Sequence, residues 1–398
     1  MSLADALLLD SVTFNVWVAL RTDGISGSGT PGDPFNGSVR RELGIPLVLT
    51  RGVADTREAT ANTGSFDILA RGFAEGDLVT ISGVTSDENK EVWNGTFVIY
   101  GVTQFSFKYY MKRPPAGSLT GSPMCERILG FGFDEVMRNA PSKSKICLGP
   151  GVFQTRGYAA NDERGWQPKT GQKIVGEGID VTVLQLVGAE NADQHYHVVG
   201  MPIETAGPTA ITPLQSFEIS DLTIDCNADN QPVRFDLHPA TPWANVACGA
   251  VRVPGSHTRI NRVKAINWGT KSLKQGCFVL SIIQASGQPS GGDGNPIVTA
   301  TDFNEIVDCV AIQPSKSNAR ETTVLHIGGV KNITNHAQGF GTAACIRQNF
   351  VDAQYLTTLG PSRPVASPFP SHFLTSKTST LITGDTGGGG RRLGERVL

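Results

Sequence analysis

Lys145-Ile-Cys-Leu-Gly-Pro-Gly-Val-Phe-Gln-Thr155 and, after a polar loop, Gln172-Lys-Ile-Val-Gly-Glu-Gly-Ile-Asp-Val-Thr-Val-Leu-Gln-Leu186 are the stretches on which the fold turns. Both are strand-forming runs interrupted by glycine turns, and neither has the 3.6-residue period of a helix. The Gly176-Glu-Gly178 pair lacks the third glycine and the following helix of a dinucleotide fingerprint, which excludes that reading.

Downstream, a weak repeat extends the pattern. Its segments are Ile219-Ser-Asp-Leu-Thr-Ile224, Ile260-Asn-Arg-Val-Lys-Ala265, Ile306-Val-Asp-Cys-Val-Ala311 and Ile333-Thr-Asn-His-Ala-Gln338. Each opens on Ile and carries a polar or charged residue two positions on. The starts lie 41, 46 and 27 residues apart (219 to 260, 260 to 306, 306 to 333). A single coil of such a stack takes roughly 22 to 30 residues, within the usual range of solenoid repeats, so the longer gaps read as coils with inserted loops or as pairs of tight coils. Gly249-Ala-Val-Arg-Val253, Cys277-Phe-Val-Leu-Ser-Ile-Ile283 and Thr323-Val-Leu-His-Ile327 supply further strands between them. Upstream, Phe133-Asp-Glu-Val-Met-Arg-Asn139 has apolar residues at i, i+3 and i+4, as expected of a short amphipathic helix covering the open end of a stack.

Pro150, Gly151, Phe153, Gly176, Gly178, Thr182 and Leu184 together resemble the opening coils of the pectate-lyase superfamily. There, a strand ending in Pro-Gly-x-aromatic is followed by a Gly-x-Gly turn and a Thr-x-Leu strand. The resemblance implies an all-β chain whose main body, from about Phe133 to Phe350, is a right-handed parallel β-helix (pectin-lyase-like).

Composition agrees with short strands and tight turns. Of 398 residues, 46 are Gly and 23 Pro, and only 18% are charged. The net charge of −2 leaves no basic excess, which argues against nucleic acid as a partner. The seven cysteines show no CxxC spacing and read as small buried hydrophobes in a chain folded in a reducing cytoplasm. The opening Met1-Ser-Leu-Ala-Asp-Ala-Leu-Leu-Leu-Asp10 has no basic region, and Asp5 and Asp10 interrupt it, so it is not read as a secretory signal. No run approaches the ~20 apolar residues of a membrane-spanning helix. The expected setting is a virion or extracellular assembly reached by lysis or a dedicated machine.

The N-terminal third has a different character. Val12-Thr-Phe-Asn-Val-Trp-Val-Ala-Leu20 alternates like a strand and runs into the turn-rich Asp23–Asp33 loop. Strand-like runs follow at Ser65–Leu69, Asp77–Ser82, Gly95–Tyr100 and Phe105–Tyr110, with Phe105, Phe107 and Tyr109 on one face. Such a row is a sugar platform or, more simply, a core face. Glu75-Gly-Asp-Leu-Val-Thr-Ile-Ser-Gly83, Trp93-Asn-Gly-Thr-Phe97 and Phe105-Ser-Phe-Lys-Tyr109 resemble a small β module that recurs in phage structural proteins. Asp33–Ser38 and Phe133–Met137 read as once adjoining, which makes the module an insertion. The organisation expected is an N-terminal strand and turn-rich segment (1–41), an inserted small antiparallel β-barrel or sandwich module (42–128), the parallel β-helix with its capping helix (129–356) and a Pro/Gly-rich cap or tail (357–398).

Glycan cleavage needs two positioned carboxylates, or a carboxylate and a base. The candidates are Asp221, Asp225 and Asp229, with Glu305 and Asp308 on a later repeat; in a regular strand Asp221 and Asp225 share a face. The same residues also suit the hydrogen-bonded corners every coil needs. The Asn-Thr-Asp, Asp-Asp, His-Gly and Arg-Ile-Lys set of polygalacturonase-like enzymes is missing, Arg259-Ile-Asn being a near miss. Trp166, Trp243 and Trp268 are sugar-contact candidates wherever they are exposed. His195 and His197 flank Tyr196 and resemble a metal pair without a third ligand, so neither a metal nor a cofactor is expected.

Three functions follow as expectations. The first is a receptor-binding or structural component of a phage or phage-like tail, spike or fibre. It would be a homo-oligomer, a trimer by preference, presenting its surface to polysaccharide or to neighbouring virion subunits. The second is a polysaccharide lyase or glycoside hydrolase, and the third a bacterial surface or filament-forming protein.

Overall fold

A computed structural model of the chain describes residues 14–52, 57–86, 90–111, 113–116, 118–159, 165–188, 195–201, 210–211, 214–231, 247–270, 277–283, 297–298, 304–312, 322–328, 344–347, 350–351 and 383–384. Its architecture is all-β, with bent sheets of mainly parallel strands and one antiparallel module.

One aliphatic column organises the longest sheet. Val16 pairs with Ile146, which pairs with Ile174, and the series continues through Ile219, Ile260 and Ile306 to Ile346. Ile146, Ile174, Ile219, Ile260 and Ile306 are completely buried. Their β-branched side chains pack well at the ~4.8 Å spacing of neighbouring strands. A second column runs Phe153, Leu184, Ile224, Ala265, Ala311, Val351. On another sheet Val199, Val251, Leu280 and Leu325 form a third. The chain visits the first two columns in one order, Ser144–Leu148 then Gly151–Thr155, and one rung on Lys173–Val175 then Thr182–Leu186; on the other sheet Tyr158–Ala159 pairs antiparallel with His195–Gly200, whose parallel partner is Ala247–Ser256. Higher up, Glu218–Asp225 and Arg259–Ile266 each serve the first two columns as one bent strand.

The bend has a backbone cause. Asp221 and Arg262 sit in the left-handed region (φ 59° and 49°), as does Asp308 (φ 54°) between Asn304–Val307 and Val310–Ala311. A left-handed residue turns the strand and resets its alternation, so Ile219 and Leu222, three apart, are both buried. The polar residue two positions after Ile219, Ile260 and Ile306 is therefore the corner itself.

Three sequence expectations change here. The parallel sheet starts at Phe14–Ala19, upstream of the module, and not near Phe133. Ile219, Ile260 and Ile306 lie on adjacent strands of one sheet, so the gaps of 41 and 46 residues hold no further rung of that column between them, against the pairs of tight coils. The rung after Ile306 is Ile346; Ile333 lies outside the described residues. Of the 357–398 segment, Thr383–Gly384 is described and pairs in parallel with His326–Ile327.

The module is antiparallel. Its sheet runs from Gly121–Phe131 through Leu78–Val84, Gly95–Tyr100, Ser106–Tyr110 and Glu58–Asn62 to Val48–Arg51. Ile45–Pro46, just before Val48, pairs back onto Gly121–Phe131 and so links the two ends. Phe107 and Tyr109 are fully buried, while Phe105 lies before its strand and is 42% exposed. Two rings of that row are core; the third is not. Ser65–Leu69 is a turn instead of a strand, because Thr63 and Asp67 compete for its backbone: Thr63 Oγ1 donates to Phe66 O (2.8 Å) and Ala70 N donates to Asp67 Oδ1 (2.9 Å).

The module leaves and rejoins the stack at one place. Val39–Arg41 pairs with Gly121–Phe131, and Gly132 N donates to Ser38 O at 3.0 Å. A Cβ on Gly132 would lie 2.2 Å from Asn36 O, so only glycine allows this approach. Leu78, Val98, Ile128 and Phe131 then pack with Val187 of the parallel stack. The helix Gly132–Asn139 follows, with Asp134 and Glu135 in its first turn and Arg138 in its last, as the helix dipole favours. Its Phe133 meets Trp166 edge-on at 5.4 Å and Phe153 at 6.2 Å, covering the first rungs.

Candidate functional surface

Asp221, Asp225, Glu305 and Asp308 lie on rungs of the long sheet or at its corners. Immediately before Ile146, Ile174, Ile219, Ile260 and Ile306 stands a charged residue: Lys145, Lys173, Glu218, Arg259 and Glu305 occupy one register line. Adjacent members from Lys173 onward are opposite in sign. Lys173 Nζ lies 3.5 Å from Glu218, and Arg259 Nε lies 3.2 Å from Glu305.

The corners repeat this pattern. Arg262 holds Asp221 through two hydrogen bonds, 2.5 Å from Nε and 2.7 Å from a terminal nitrogen. This guanidinium keeps the Asp221 carboxyl below the usual carboxylate range despite partial burial. Lys264 Nζ reaches both oxygens of Asp180, at 2.8 and 3.0 Å. Asp225 is buried and fully engaged: it accepts from Gln185 Nε2 (2.9 Å), Asn227 N (2.9 Å) and Asn267 Nδ2 (2.8 Å). Gln185 accepts in turn from Gln154 at 3.0 Å, one rung below.

The corner at Asp221 sends it toward Arg262, whereas Asp225 lies among the Gln and Asn side chains of the second column. They do not form the same-face pair that a straight strand would give. Asp229 is half-buried in the 3-10 turn Ala228–Asn230, and Asp308 is exposed at its own corner. Charged partners from neighbouring rungs thus meet Asp221 and Glu305, and amides meet Asp225.

The aromatic candidates fare differently. Trp166 and Trp268 are each 2% exposed, so neither offers a ring face to a sugar; Trp243 lies outside the described residues. Trp166 Nε1 donates to Thr155 Oγ1 at 2.8 Å, and Thr155 joins the buried Asp134. His195 and His197 do share a face, their rings stacked at 6.4 Å and 8°. Burial, then the charge of Arg252, pushes His195 down to about 4 and His197 well below its usual value. The same Arg252 would repel a cation, and no group of three His, Cys, Asp or Glu suited to a metal occurs among the described residues. Cys125, Cys147, Cys226, Cys248 and Cys309 are buried thiols outside any disulfide, and burial lifts the Cys125 and Cys309 thiols to about 12, far from a reactive thiolate.

Arg262, Lys264 and Asp180 escaped the sequence reading, although the pattern was present. A charged residue precedes Ile146, Ile174, Ile219, Ile260 and Ile306 alike, and the sign alternates from Lys173 to Glu305. Compared with protein-family models and with curated protein sequences, the chain matches none.

Proposed function

We propose that the parallel stacks are the faces of a right-handed β-helix of the pectin-lyase-like kind, and that the protein is a structural, receptor-facing component of a phage or phage-like tail. Asp221, Glu305 and Asp225 carry this reading: each is held by partners from an adjacent rung, which suits a surface that stiffens the stack over one that transfers protons. The common register of the columns and their fixed order of visits support the helix. The likeness of the inserted module to phage structural modules supports the setting. As a tail component the protein would assemble as a homo-oligomer, a trimer by preference, beside other virion subunits and against surface polysaccharide.

Two measurements on the full chain test this. Light scattering in solution is expected to give a trimer mass, and a monomer at micromolar concentration would overturn the assembly. Incubation with a panel of capsular and plant polysaccharides is expected to yield no unsaturated product and no new reducing end. Turnover of any of them would replace the scaffold reading with that of a lyase or hydrolase.

A further inference from the structure

The module's interior is filled by Phe73, Trp93, Phe97, Phe107 and Tyr109. Another group of rings stands on the outside of the same sheet, where the core does not need it. Tyr100 and Tyr110 are half-buried there, stacked at 5.1 Å and 10°. Glu58 lies opposite Tyr110 in register, and Lys108 lies between Thr60 and Tyr100. Tyr100 Oη donates to one oxygen of Glu58 at 2.8 Å, and Lys108 Nζ donates to the other at 3.0 Å. The Lys108 side chain is 43% exposed and that of Glu58 22%.

This arrangement has the chemistry of sugar recognition. Tyrosine presents an amphipathic ring at small entropic cost, and here each ring is already fixed by the other. A carboxylate and an ammonium beside the rings accept from and donate to adjacent hydroxyls, while the C–H face of a sugar lies on the aromatic surface. Glu58 and Lys108 cancel in charge, which favours a neutral sugar over an acidic one. Val98, two residues before Tyr100 on the same strand, packs with Leu78 and Val187, so the cluster flanks the junction of module and stack.

We propose that Tyr100, Tyr110, Glu58 and Lys108 form a binding subsite for neutral hexose units of a surface glycan. This rests on the receptor-facing reading above and assigns that role to the module instead of to the rungs.

Calorimetric titration of the full chain with dextran, mannan and galactan oligosaccharides, and with hyaluronan oligosaccharides as the acidic comparison, tests it. The wild type is expected to bind at least one neutral series. Tyr110→Ala should weaken that binding about tenfold, as loss of a stacked ring does. Glu58→Gln, which keeps shape and folding, should weaken it about fivefold, on the order of one hydrogen bond. Phe105→Ser, at an exposed ring elsewhere on the module, should leave it unchanged. If the wild type binds and both Tyr110→Ala and Glu58→Gln bind equally well, the subsite is wrong while the receptor reading stands. Binding of hyaluronan alone overturns the neutral-sugar assignment. No binding to any series removes the subsite and the glycan-receptor reading together.

Discussion

Asp134 shows how one buried side chain gives the fold a pH dependence. Its carboxylate accepts from Thr155 Oγ1 (2.5 Å) and Arg156 N (3.0 Å), while Thr155 Oγ1 accepts from Gly157 N (2.9 Å) and Trp166 Nε1. Complete burial nevertheless pushes Asp134 up to about 7. A folded value above the unfolded one, ~3.9, means that its contribution to stability is full below the unfolded value and is lost as pH rises toward 7. His195 has the opposite sign. Its folded value, about 4, lies below the unfolded ~6.5, so its contribution is present above 6.5 and is lost as pH falls toward 4. Asp134→Asn should flatten the loss on the rising side in a melting series from pH 4 to 8. It should also lower stability at pH 5 by roughly 1–3 kcal/mol, since an amide nitrogen must face one of two donors. His195→Gln should flatten the acid side of the same series. An Asp134→Asn profile parallel to that of the wild type would refute the assignment.

At the scale of the strand, corners and close approaches decide what each rung tolerates. Asp308 is exposed and left-handed at φ 54°. Asp308→Val should lower stability by roughly 1–2 kcal/mol, whereas Asp308→Gly should be neutral or raise it by up to about 1 kcal/mol. Denaturant melts compare the two, and equal midpoints would mean that the corner carries no backbone strain. Gly249 sets a tighter limit. It pairs with His197, and a Cβ there would lie 2.0 Å from Phe278 O and 2.8 Å from the His197 ring. Gly249→Ala should therefore destabilise by about 1–3 kcal/mol, the range for overpacking a core, as read by the same melts.

Across the whole molecule, the module is an excursion from a continuous stack. Phe14–Ala19 and Ser144–Leu148 are adjacent rungs although more than a hundred residues separate them. The Gly132 N to Ser38 O bond places the two ends of the excursion in contact. Replacing residues 39–131 by a short glycine-serine linker should leave a β-rich chain that still unfolds cooperatively, measured by circular dichroism and thermal melting. Loss of the β signal would show that Val187 and the first rungs depend on the module for cover.

The local pattern held a good part of this. Strand content, the helix after the module, the Ile-x-polar repeat and the buried role of the cysteines follow from side-chain periodicity, which acts between near neighbours. Register did not. The Ile219, Ile260, Ile306 column was visible, but Ile333 stood in for Ile346, because equivalent isoleucines are told apart only by which strands pair. Likewise Asp221 and Asp225 looked like one face until a single left-handed residue reset the alternation between them. Side-chain periodicity alone specifies an all-β chain of stacked short strands with an inserted module. Tertiary pairing alone sets where the stack begins, which charges neutralise which, and which rings stay outside the core. Those depend on contacts between rungs some 40 residues or more apart, and no local pattern encodes such contacts.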